Sequence, residues 1–259
     1  MVGNPLPCYL QPMLTQRFES GALDRSVWVP WYLPHWSSRA SAAATYRVGG
    51  GELRLSIPPE QPLWADGVHE TPLRVSGIQS ANFSGPVGST IGGQPFRENQ
   101  QVREEQPEFW GFTPLYGHVE IRMRAVITAR SMVAFWLSGI EDQPARSGEI
   151  CVVEVFGTAP HGFGMGLHSF RDPRLTEDWS VVDLPIDVAA FHAYAVDWRP
   201  DSLTFTVDGE VVKRVGQAPD YPVQLEIAVF DFPEKAGLVS GEVPVPELVV
   251  SHVLATADL

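Results

Sequence analysis

Apolar and polar residues alternate along much of this chain, and that period of two constrains its fold more than any other feature. Leu53, Leu55 and Ile57 alternate with Glu52, Arg54 and Ser56. Val119, Ile121, Met123 and Ala125 alternate with His118, Glu120, Arg122 and Arg124. Leu203, Phe205 and Val207 alternate with Thr204, Thr206 and Asp208. Successive side chains of a β-strand point to opposite faces, so each run predicts a strand with one buried and one wet face. Asp208-Gly209 separates two such runs and predicts a type I′ hairpin turn. Leu248-Val249-Val250 and Val253-Leu254 read as a closing strand. No stretch carries a convincing helical period. Residues 85–110, rich in Gly, Gln, Glu and Pro, read as a long loop, and 172–187 as a second irregular stretch. With no internal repeat and no composition break, the simplest architecture is all-β: one antiparallel β-sandwich, with all 259 residues in a single domain. Its core runs from about residue 15 to about residue 256.

Composition narrows the functional classes. Hydrophobic residues make up 44% of the chain and charged ones 19%, which supports a packed core and argues against disorder. The formal net charge of −13 repels phosphate backbones, so no nucleic acid partner is expected, whereas a neutral polysaccharide is compatible. Cys8 and Cys151 form neither a disulfide framework nor a metal-type pair. Met1-Val2-Gly3-Asn4-Pro5 lacks a basic region followed by an apolar stretch, so no secretory signal is read there. No apolar run approaches the roughly 18 residues of a membrane span. The expectation from these features is a cytoplasmic monomer without a membrane partner.

The stretch Ser147-Gly148-Glu149-Ile150-Cys151-Val152-Val153-Glu154-Val155-Phe156-Gly157 is the candidate for chemistry. It places two glutamates five residues apart in an otherwise apolar strand, although carboxylates are among the least often buried side chains. One reaction that needs such a pair is glycosidic bond cleavage, with carboxyl groups flanking the bond. A regular strand puts Glu149, Cys151 and Val153 on one face and Glu154 on the other. Both glutamates face one cleft only if a β-bulge inserts an extra residue near Val152–Val153, and bulges are frequent beside active sites.

This segment resembles the catalytic strand of glycoside hydrolase family 16, in the bulged Glu-x-Asp-x-x-Glu form of laminarinase-like β-1,3-glucanases. Other stretches resemble the family in its order. They are Phe18-Glu19-Ser20-Gly21-Ala22-Leu23-Asp24 with Trp28, Tyr116-Gly117-His118-Val119-Glu120-Ile121-Arg122, and Ala134-Phe135-Trp136-Leu137. A further one is Phe191-His192-Ala193-Tyr194-Ala195-Val196-Asp197-Trp198, followed by Phe205-Thr206-Val207-Asp208-Gly209. The resemblance spans Phe18 to Val253. It implies a β-jelly roll with a concave cleft and retaining, endo-acting hydrolysis of a β-glucan, most plausibly β-1,3-linked. In it Glu149 is the nucleophile and Glu154 the acid/base. It also implies Trp136 as a sugar-stacking platform, with His168 and Arg122 facing the cleft. Trp28 and Trp198 are expected in the core; Trp31, Trp36, Trp64, Trp110 and Trp179 are candidates for subsites. Members of the family are usually exported, which sets an extracellular location against the cytoplasmic reading.

Three positions depart from the family pattern. The middle aspartate is Cys151, a poor hydrogen-bond partner. Its neutrality removes a charge that would help keep Glu154 protonated, so Glu154 is expected to be a poorer acid and the enzyme a weakened one. Ser251 stands where the closing strand often carries a calcium-binding aspartate, so no cofactor is expected and calcium is not favoured. Leu225-Glu226-Ile227-Ala228-Val229-Phe230-Asp231 replaces a stretch with an asparagine and paired glycines. Two rival readings remain: a carbohydrate-binding protein that has lost hydrolysis, and a transglycosylase using the same two glutamates.

Overall fold

The computed structural model describes residues 12–239, 241 and 243–257, so Cys8 and the first five residues lie outside the described part. Its strands are β1 (Pro12–Gln16), β2 (Thr45–Gly49), β3 (Glu52–Ser56), β4 (Arg74–Gln79), β5 (Ala81–Asn82), β6 (Phe109–Trp110), β7 (Gly117–Val126) and β8 (Ser131–Gly139). They continue with β9 (Glu149–Phe156), β10 (Gly162–His168), β11 (Asp178–Asp183), β12 (His192–Arg199), β13 (Ser202–Val207), β14 (Glu210–Val215), β15 (Val223–Asp231) and β16 (Glu247–Thr256). Every pairing is antiparallel. One sheet runs β14-β13-β12-β7-β16-β3-β2, with β1 added alongside β16. The other runs β11-β10-β9-β8-β15-β4, and β5 pairs with β6. The architecture is the expected all-β jelly-roll sandwich. None of its described helices is long and apolar enough to cross a membrane.

The period-two residues do what their pattern requires. Val119, Ile121, Met123 and Ala125 of β7 enter the core, as do Leu203 and Phe205 of β13. From the facing sheet come Val133, Phe135 and Leu137 of β8 and Leu225, Ile227 and Val229 of β15. Each fully buried side chain of this size contributes roughly 1.5–3 kcal/mol. Trp28 and Trp198 are fully buried here. Asp208 (φ 50°) and Gly209 (φ 84°) both adopt positive φ, the signature of the type I′ hairpin joining β13 to β14.

The irregular stretch 172–187 contains a strand, β11, which correctly extends the six-stranded sheet but was not legible in the sequence. It is an edge strand bonded only to β10, and no residue in it is fully buried. Its sequence therefore lacks the apolar alternation of a half-buried strand. The outer face of the six-stranded sheet is partly roofed. Leu33, Trp36, Trp64 and Val102 pack there against Trp136 and Ala134 of β8 and Phe230 of β15. Trp36 and Trp64 are thus core residues of this second cluster and offer no sugar platform. The long loop is anchored at Gly93, whose carbonyl accepts from Trp36 Nε1 at 2.7 Å.

Candidate active site

Glu149, Cys151 and Glu154 share one face of β9 because the strand carries the required bulge. Along β8, Phe135 pairs with Val153 and the next residue, Trp136, pairs with Cys151, leaving Val152 unmatched. The register with β10 shifts at the same place, from Glu154 opposite Gly164 to Cys151 opposite Gly166. Ile150, Val152, Val153 and Val155 all enter the core. Glu149, Cys151 and Glu154 line a pocket of about 140 Å³ on the opposite side, with Tyr32, Gln94, Trp136 and Phe230. Without the extra residue Glu154 would point into the core, where an unpaired carboxylate is costly.

Neighbouring residues hold this strand in place. Gly166, opposite Cys151, has φ +137°, and a Cβ there would lie 2.1 Å from the Asp178 carbonyl oxygen. Only glycine fits. Gly164, opposite Glu154, lies beneath the Trp179 indole, whose Cζ2 would be 2.6 Å from an added Cβ. At the entry to β9 the Gly148 N–H donates to Tyr221 Oη at 2.7 Å, and that hydroxyl donates to Asp172 at 2.9 Å. Asp172 is in turn gripped by Arg174. This chain of bonds fixes the backbone immediately before Glu149.

A third carboxyl group completes the site. Glu226 of β15 is fully buried and pairs across the sheet with Trp136. Its Oε2 accepts from Ser138 Oγ at 2.5 Å and from Gln94 Nε2 at 2.5 Å. The Gln94 carbonyl accepts from Trp136 Nε1 at 3.3 Å, and its backbone N–H donates to Glu141 at 2.7 Å. Glu141 is ion-paired with Arg171. Gln94 thereby ties the long loop to the floor of the pocket.

Burial dominates the electrostatics. It raises the Glu154 carboxyl to about 6. It pushes Glu149 well above the usual carboxylate range, assisted by the negative charges of Glu226, Glu154 and Glu177. Burial also lifts Glu226 to about 7, against the lowering effect of the neighbouring Ser138, Gln94 and Trp136 donors. The Cys151 thiol is driven up by burial and by the two flanking glutamates, so it stays neutral. It donates weakly to the Gly164 carbonyl at 3.5 Å. Desolvation raises the Glu154 carboxyl even though the neighbouring Cys151 is neutral.

Trp136 lines the pocket as expected, but only 5% of it is exposed, because Tyr32 and Phe230 pack against it. It is a wall residue with little open ring surface. His168 lies on the outer face opposite Glu149, yet it flanks the pocket without lining it. Its Nδ1 sits 2.6 Å from Glu177, and its ring stacks on Trp179. Arg122 is a correction. It belongs to β7 in the other sheet, on the face opposite Ile121 and Met123, where its guanidinium covers Phe191. The alternation that buries Ile121 forces Arg122 outward, away from the cleft. That guanidinium also lies 3.4 Å from Ser251 Oγ.

Sequence reasoning missed Glu226, Gln94 and Tyr32 as site residues. Glu226 carried a signal, a carboxylate inside the apolar run Leu225–Phe230, of the same kind that singled out β9. Gln94 and Tyr32 sit in irregular segments with no such signal.

Residues 111–237, spanning β7 to β15, match the family model described as glycosyl hydrolases family 16. A curated glucan endo-1,3-beta-glucosidase from Cryptopygus antarcticus is 31% identical over 126 residues, which cover 46% of this chain and 45% of that protein. The matched part is thus less than half the length of that relative. A GlcNAcα1-4Gal releasing endo-β-galactosidase from Clostridium perfringens superposes with a TM-score of 0.81 at 26% identity, covering 98% of this chain and 64% of that one. An endo-1,3-beta-glucanase (laminarinase) catalytic domain from Thermotoga petrophila superposes with a TM-score of 0.66 at 16% identity, covering 96% of this chain and 98% of that one.

Proposed function

We propose that the chain, whose residues 111–237 match the glycosyl hydrolase family 16 model, is a retaining, endo-acting glycoside hydrolase of that family. Glu149 and Glu154 form its reaction centre. The observation that carries this reading is the bulge at Val152, which brings Glu149, Cys151 and Glu154 onto one pocket wall. In the first step the Glu149 carboxylate attacks the anomeric carbon while Glu154 gives its proton to the leaving oxygen. In the second, the Glu154 carboxylate takes a proton from water, which displaces the sugar from Glu149. A Glu154 near 6 suits both roles, since it can hold and release a proton at mildly acidic pH. Cys151 adds neither a charge nor a strong hydrogen bond to this exchange.

The proposed substrate is a β-1,3-linked glucan, supported by the curated glucosidase similarity. A second reading is a β-galactose-containing glycan. It is favoured by the superposition on the endo-β-galactosidase at 0.81, well above the 0.66 of the laminarinase. The test is release of reducing ends from laminarin, lichenan, agarose and a GlcNAcα1-4Gal-terminated glycan, with Glu149→Gln as control. Turnover lost in that control supports the hydrolase. Binding to all four without turnover in the native protein leaves a carbohydrate-binding protein instead. Products longer than the starting oligosaccharide identify transglycosylation.

A further inference from the structure

Glu226 is fully buried, carries two hydrogen bonds on one oxygen, and leaves its Oε1 without a partner among the described residues. An unpaired buried carboxyl oxygen is expensive and calls for a reason. Ser138, which donates to the other oxygen, stands directly opposite Glu149 in the β8–β9 register. The Glu226 carboxyl is therefore bonded to the cross-strand neighbour of Glu149, and its charge opposes ionisation of Glu149.

We propose that Glu226 is the positioning residue for Glu149: its Oε1 carries a proton, and that O–H is directed at the Glu149 carboxylate. The inference rests on the reading of Glu149 as nucleophile. It resolves a conflict in the site. A nucleophile must be ionised, yet burial and three acidic neighbours oppose charge on Glu149. If two protons are distributed among Glu149, Glu154 and Glu226, the productive arrangement places them on Glu154 and Glu226. The negative charge then rests on Glu149, between two acids. Cys151 cannot supply that donor, because its thiol is spent on the Gly164 carbonyl.

The fixed hydrogen bonds favour this arrangement. Both Ser138 and Gln94 donate to Oε2, so that oxygen is the acceptor and Oε1 is the natural place for the proton. The other titratable or charged groups of the surround are Tyr32, Cys151, Glu154, His168 opposite Glu149 on β10, Glu177, Lys213 and the Glu141–Arg171 pair. The Tyr32 phenol is held neutral by burial and by Glu226 and Glu149, and Arg171 is occupied by Glu141. Among the described residues that line the pocket, none is basic.

Replacing Glu226 separates a donor from a structural filler. Glu226→Ala should lower kcat roughly ten- to hundredfold while moving KM by less than about threefold. Glu226→Gln keeps an acceptor for Ser138 and places an N–H donor at the free position, so it should restore most of that loss. It should also remove the later of the two ionisations on the alkaline limb of the kcat profile. An alanine variant as active as the native protein overturns the proposal. So does a folded glutamine variant as impaired as alanine. A carboxyl titration by ¹³C NMR on glutamate-labelled protein needs no substrate and so stands apart from the hydrolase reading. Glu149→Gln should lower the Glu226 midpoint, which burial already holds above that of an ordinary glutamate, and an unmoved midpoint overturns the proposal even if no glycan is ever cleaved.

Discussion

Val152 and Val153 are consecutive residues of one strand, and both side chains enter the core. That double inward step turns Glu154 onto the same wall as Glu149. Deleting Val152 should therefore restore regular alternation, direct the second glutamate inward and abolish turnover. Val152→Ala keeps the bulge and should retain activity, at a cost of about 1–2.5 kcal/mol in stability from lost packing. Urea denaturation alongside a reducing-end assay checks both halves.

The Cys151 thiol is buried and flanked by two carboxyl groups. It should resist iodoacetamide at pH 8 in the folded protein and react after unfolding, as read by peptide mass spectrometry. Cys151→Asp restores a polar group between the glutamates and should raise kcat on an accepted glycan by roughly tenfold. A decrease would mean that a further charge in this desolvated cluster costs more than the hydrogen bond returns.

Tyr221 links the Gly148 N–H to Asp172. Tyr221→Phe leaves a buried donor and weakens the hold on a buried carboxylate, so stability should fall by about 1–3 kcal/mol. Because Gly148 precedes Glu149, kcat should fall as well, with KM little changed. Thermal unfolding and steady-state kinetics separate the two effects.

Stability should peak in mildly acidic solution. Glu226, near 7, and Glu154, near 6, bind protons more tightly in the folded chain than an ordinary glutamate does. Their contribution is full below about pH 4.5 and is lost as pH rises through 6 to 7. Glu120 acts in the opposite sense. His118 and His252 hold it near 2, so its contribution is lost as pH falls from about 4.5 towards 2. Urea midpoints at pH 5 and pH 8 should show that Glu226→Gln stabilises at pH 8 relative to the native protein and not at pH 5.

The legible parts of the fold were those with strong alternation, such as β3, β7 and β13. The edge strand β11 was hidden because it buries no side chain completely, leaving no apolar stripe to read. In the site, Glu149 and Glu154 were legible because carboxylates in an apolar strand demand an explanation. Glu226 met the same criterion in β15 but reads in sequence only as a departure from the family pattern. The motif around Arg122 points to the cleft, although the residues alternating with it place it outside. Gln94 adopts φ 51° within the long loop, a geometry the surrounding composition does not announce.

The most direct test of the account is the configuration of the first sugar released, followed by proton NMR during digestion of an accepted glycan. The account predicts that the new reducing end appears first as the β-anomer and then mutarotates, and that Glu149→Gln yields no product. Initial release of the α-anomer, or full activity in Glu149→Gln, would contradict it.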